Sequence, residues 1–160
     1  MNTNQVIKRS ALTKALVDAL KGTILIGRGS APPEGGWPRG QAGIETFVPY
    51  VVIKTGPAQT PAPGLPENVG RLRTSWMVTY SFSYHATSDS STDDFADVGR
   101  DLILQAGVLP DSFTLDSVEW RLQSVVIPRL GATEKDTSTD PEHWRLTDDV
   151  SLLLSRVQAR

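Results

Sequence analysis

The sequence predicts an α+β fold: an antiparallel or mixed β-sheet with two helices packed on one face and long Pro/Gly-rich loops. Three observations point there. One strand-length segment alternates aromatic and hydroxyl-bearing residues without a break. Two segments carry apolar residues at helical spacing, and two passages collect proline and glycine.

The clearest strand runs from Arg73 to His85. Trp76, Val78, Tyr80, Phe82 and Tyr84 point one way, and Met77, Thr79, Ser81, Ser83 and His85 the other, because strand side chains alternate with a period of two. The first set is suited to a core. The second suits water, another subunit or a channel.

The opening helix is predicted from about Asn4 to Leu20, with Leu12, Leu16 and Leu20 on one stripe, Ile7 extending it backward, and Lys21-Gly22 as the stop. A short strand follows at Thr23–Ile26. Gly27–Gly43 is a Gly/Pro passage, Phe47–Lys54 a strand, and Gly56 to about Gly70 a second passage stiffened by Pro57, Pro61, Pro63 and Pro66. These two loops are either ordered surface excursions or contacts to neighbouring subunits.

A second helix begins after Ala86–Ser91, with Ser90 as N-cap, Asp93 and Asp94 at the positive dipole end, and Phe95, Val98, Leu102 and Ala106 facing inward before Gly107. One long strand is expected from Phe113 to Ile127, with Val118, Trp120, Leu122 and Val126 on one face. A polar loop spans Pro128 to about His143. The last strand starts near Trp144 or Leu146 and runs through Val157, with Val150, Leu152 and Leu154 inward.

A chain of 160 residues suits one domain, residues 1–160. There is no cysteine, which excludes thiolate catalysis and Cys-ligated metal. Sixteen basic against 18 acidic residues argue against a general nucleic-acid binder. No apolar run approaches the roughly 18 residues that a membrane span needs, and the N-terminus lacks the apolar core of a signal peptide.

The search for chemistry returns little. Gly27-Arg28-Gly29-Ser30 lacks the phosphate-loop pattern and reads as a glycine-rich turn. His85 and His143 belong to no short metal motif and read as surface residues; a site bridging them requires the fold to join distant segments. Asp93, Asp97 and Asp101 share a helix face, either solvated, in contact with basic residues of another subunit, or, least favoured, a metal site. No Gly-x-Ser-x-Gly elbow appears. Trp37 lies in the first Gly/Pro loop, as an anchor or a contact. No catalytic, cofactor or metal residue is assigned, and no enzyme is expected. The alternative from a different class is a small hydrolase or ligand-binding enzyme with a cleft beneath the long loops.

The segment order resembles tail terminator proteins of long-tailed bacteriophages. The resemblance rests on the opening amphipathic helix, VPYVVIKTG at Val48–Gly56, RLRTSWMVTYSFSYHATS at Arg71–Ser88, DDFADVGRDLILQAG at Asp93–Gly107, and the late strands carrying VEWRLQSVV and VSLLLSRV. It implies a structural virion protein of the tail or neck, made in the host cytoplasm. Its partners would be itself in a ring, commonly a hexamer, the major tail tube protein and the head–tail connector. Double-stranded DNA would pass through the lumen without sequence-specific binding. No cofactor is implied. A head–tail completion protein is the neighbouring alternative. Arg71, Arg73, Asp97 and Asp101 flank the central strand or lie on the second helix and are the candidate assembly contacts.

Overall fold

The computed structural model describes residues 6–37, 47–60, 75–138 and 142–157. Its elements are α1 (Arg9–Leu20), β1 (Ile26–Arg28), β2 (Tyr50–Gln59), β3 (Ser75–Ala86), α2 (Asp89–Leu104), β4 (Ser112–Leu115), β5 (Val118–Arg129), β6 (Glu134–Asp136) and β7 (His143–Arg156). The strands form one mixed sheet in the order β1-β2-β3-β7-β5-β4, with β6 also paired to β7. Among the described strands only the β1–β2 pair is parallel.

The alternation in β3 is realised. Val78, Tyr80, Phe82 and Tyr84 are buried and face α1 and α2, together with Val51 and Ile53 of β2 and Leu146, Val150, Leu152 and Leu154 of β7. Both helices lie on this side of the sheet, as their buried residues share that one cluster. On the other side, hydroxyls pair across β3 and β7: Ser75–Ser155 at 2.9 Å, Thr79–Ser151 at 3.1 Å and Ser83–Thr147 at 2.8 Å.

Several boundaries differ from the sequence expectation. Helix α1 starts at Arg9, after an extended Lys8 that offers no side-chain cap. Ile7 is buried but packs from ahead of the helix. Strand β1 is displaced to Ile26–Arg28, where it pairs in parallel with the buried stretch Val51–Ile53 of β2 and brings Gly27 and Arg28 into register with Val52 and Ile53. Strand β2 continues past Lys54 to Gln59, through Gly56 and Pro57. A register shift between Thr55 and Ala58 accommodates the proline. A Cβ on Gly56 would meet the Thr79 carbonyl oxygen at 2.4 Å, so the bulge needs glycine there.

Helix α2 starts earlier than expected. Ser88, not Ser90, is the N-cap, and it exchanges hydrogen bonds with Ser91 in a capping box. The buried stripe is Thr92, Ala96, Gly99 and Ile103, rotated by about one residue from the expected one. Val98 is consequently 54% exposed, Phe95 and Leu102 are half-buried, and Ala106 lies beyond the helix. Gly99 explains the rotation: a Cβ there would stand 2.3 Å from the Tyr84 ring, so the helix can approach Tyr84 this closely only through its one residue without a side chain.

The expected strand Phe113–Ile127 is a hairpin. Asp116 and Ser117 both take positive φ, 54° and 68°, which closes a two-residue turn between β4 and β5. A register shift between Leu122 and Ser124 then swaps the faces of β5. Val125 and Ile127 pack toward the core, while Val126 is 47% exposed instead of sharing the Trp120 face. The polar segment after Pro128 contributes β6, which was not expected.

On the core face of β7, Asp148 is fully buried. Arg100 of α2 donates to both of its oxygens, at 2.6 and 2.8 Å, and the Gly131 amide donates at 2.8 Å. The Asp148 hydrogen bonds, then its charge, hold the guanidinium protonated above its already high ordinary range. This fork ties α2, β7 and the β5–β6 connection together.

Candidate functional site

The densest group of ionisable side chains in the interior lies on the face away from the helices. His85 comes from the end of β3, His143 from the start of β7 and Asp136 from the end of β6. His85 is 8% exposed, His143 2% and Asp136 8%, so the reading of both histidines as surface residues is overturned. The cause is register. His85 pairs with Arg145, which puts His143 two residues further along the same face, and β6 pairs Asp136 directly with His143.

The three side chains converge. His85 Nδ1 and His143 Nε2 are 2.8 Å apart, and Asp136 Oδ2 is 3.4 Å from His143 Nε2. The other oxygen, Oδ1, accepts from the backbone amide and hydroxyl of Ser138. The Arg145 guanidinium, which donates to Glu134 at 2.7 Å, stands 4.0 Å from Oδ2.

Aromatic rings fix the imidazoles. Tyr50, the cross-strand partner of His85, stacks on it with centroids 4.5 Å apart and planes within 9°. Phe47 lies 5.2 Å from the His143 ring, and Trp37 meets Phe47 edge-on at 5.2 Å. Trp37 therefore anchors the described part of the first Gly/Pro passage onto a second apolar cluster of Phe47, Tyr50 and Val52. Gly35 is required for that anchoring, since a Cβ would stand 2.9 Å from the Tyr50 ring.

Burial sets the charge states. It pushes the His85 pKa down to about 4, helped by the neighbouring His143, against the opposing pull of Asp136. Burial also lowers His143, again against Asp136. For Asp136 burial pushes upward, but the Ser138 hydrogen bonds and the His143 and Arg145 charges outweigh it, and the carboxyl sits below its ordinary range. Two neutral imidazoles beside one carboxylate can share a proton through the 2.8 Å contact, or offer lone pairs to a metal ion.

The other expected site residues are dispersed. Asp97 and Asp101 are exposed on the outer side of α2, and Asp97 pairs with Arg100 at 3.0 Å. Arg71 and Arg73 lie outside the described residues, as does most of the second Gly/Pro passage. Arg28 ends β1 and donates to Ser10 at 3.1 Å, with no helix following it to cradle a phosphate. Two sequence features hinted at the histidine cluster. His85 closes the polar face of β3, and Tyr50 and Phe47 flank a neighbouring strand; the strand pairing that joins them was not readable.

Among the described residues no helix is long and apolar enough to cross a membrane. No family model matches the chain, and no curated protein matches it. A solved structure aligns over 100% of this chain and 99% of its own, at 13% identity and a TM-score of 0.43. So loose a likeness carries no argument about function.

Proposed function

We propose that this protein is a structural assembly protein of the tail-terminator kind. It forms a ring on the end of a phage tail tube, ends tube polymerisation and offers the opposite surface to the head connector. The observation that carries the reading is the one-sidedness of the sheet. Both helices shield one face, and the other presents a half-buried row of paired hydroxyls between β3 and β7. Met77 and Leu153 pair between those hydroxyls and are half-buried, so the face mixes apolar and polar groups as protein interfaces do. The cavity between α1, α2 and the sheet measures about 10 Å³ and is lined by apolar side chains such as Ile26, Phe82 and Ile103. That is room for about one water.

Asp97 and Asp101 are exposed as an assembly contact requires. Reversal of Asp101 is the cleaner probe, because Asp97 also pairs with Arg100. The experiment is negative-stain imaging of the purified protein mixed with assembled tail tubes. Capped tubes of fixed length support the reading. Tubes that grow unchanged and carry no ring overturn it, and a ring bound only to connectors reassigns the protein to head–tail completion.

A further inference from the structure

We propose that His85 Nδ1, His143 Nε2 and Asp136 Oδ2 form a binding site for a divalent first-row transition metal ion, with Zn²⁺ as its natural occupant. The inference is independent of the assembly role above.

Convergence comes first. The three ligand atoms lie within 4.8 Å of one another, although they come from β3, β6 and β7. Zinc bonds to imidazole nitrogen and carboxylate oxygen run about 2.0–2.2 Å, which places neighbouring donors of a tetrahedron roughly 3.3–3.5 Å apart. Asp136 Oδ2 and His143 Nε2 already stand at 3.4 Å. The two nitrogens, at 2.8 Å, need to open by about half an ångström, with the metal replacing their hydrogen bond.

The surroundings are those of an oriented ligand set. Ser138 occupies Oδ1 of the carboxylate through its amide and hydroxyl, which turns Oδ2 toward His143. Tyr50 and Phe47 restrain the imidazole planes. Such outer groups set ligand direction in metal sites and are worth roughly 10–100-fold in affinity. Burial favours the neutral imidazoles that a metal requires.

The donor chemistry selects the ion. Two nitrogens and one oxygen suit zinc and its neighbours, whereas magnesium and calcium take oxygen ligands. The nearby cations Arg145 and Lys54 oppose a second positive charge, and Arg145 is partly offset by Glu134. The site is therefore selective for an ion that binds through strong nitrogen bonds. A bound metal would clip the three-residue strand β6 to the start of β7 and to β3, adding to its short pairing with β7 and to the Arg145–Glu134 and Lys135–Glu142 ion pairs.

The full chain, stripped with a chelator and desalted, is titrated with ZnCl₂ by calorimetry and followed by thermal unfolding. The expected result is saturable binding of one ion per chain and a raised Tm, since the ligand set exists only in the folded state. MgCl₂ should give no shift. His143→Gln and Asp136→Asn should each weaken zinc binding by at least about 10-fold, with circular dichroism confirming that each variant folds. A measurement on the unaltered protein guards against variants that do not fold: on adding zinc, the imidazole nitrogen resonances assigned to His85 Nδ1 and His143 Nε2 should move. No saturable binding by the unaltered chain overturns the proposal. So does binding that leaves those two nitrogens unmoved, or that persists undiminished in a folded Asp136→Asn variant.

Discussion

Asp148 shows how much one side chain can bind together. It sits on the core face of β7, fully buried, and is tolerable there only because Arg100 and the Gly131 amide supply three donors. Replacing it with alanine leaves a largely buried guanidinium without its main partner. The expected loss is roughly 3–5 kcal/mol in urea unfolding, far more than for Asp97→Ala on the surface. Tyr84 behaves in the opposite sense. Its hydroxyl is buried with no hydrogen-bond partner among the described residues, so Tyr84→Phe should be neutral or stabilising by up to about 1 kcal/mol. Gly99→Ala, beside the same ring, should destabilise by about 1–3 kcal/mol despite the higher helix propensity of alanine.

The histidine pair makes stability depend on pH in the metal-free protein. His85 titrates near 4 when folded, against an ordinary value of 6.5. Between those values the unfolded chain binds the proton first, so stability falls as pH drops. The contribution is complete above about pH 6.5 and is drained by about pH 4. Urea midpoints measured across that window should decline, and His85→Gln should flatten the decline. The burial of the pair was not legible in the sequence, where His85 ends a strand and His143 follows Glu142 and both read as surface residues. Burial of a polar side chain at a strand end depends on what the pairing strand brings, and that information is non-local.

At the scale of elements, what could be read locally was read well. The two-residue period of β3 placed its aromatic face correctly because positions 78 to 84 obey it, with His85 the exception on the opposite face. Helix α2 existed where the 3.6-residue spacing put it, but its rotation was set by Gly99 against Tyr84, a tertiary contact that no spacing reveals. The β4–β5 turn was missed because Asp116-Ser117 lacks the glycine that usually marks positive φ at both central positions. Asp116→Asn with Ser117→Gly should therefore stabilise the hairpin, by roughly 1 kcal/mol in chemical denaturation. The face swap in β5 had the same origin as the missed strand β6: bulges and short pairings follow from a partner strand, not from the segment itself.

For the whole molecule, the fold class was legible because it depends on which segments have a dry side, and the order of strands was not. Proximity along the chain suggests β4 and β5 beside β3. In fact β7 occupies that place, with β3 on one flank and β5 and β6 on the other. Among the described strands, the two halves of the sheet, β1-β2-β3 and β4-β5, share no pairing except through it.

That placement carries a consequence for biosynthesis. While a ribosome is still decoding residue 142, the nascent polypeptide holds two unjoined hairpin fragments, each displaying an unsatisfied backbone edge and bare aromatics. Only when 143–156 is available can it slide between them and zip both margins, so folding waits on long-range pairing and is slow. Stalled chains lacking that segment should be captured by chaperones or degraded, while adding it back as a separate peptide should rescue them.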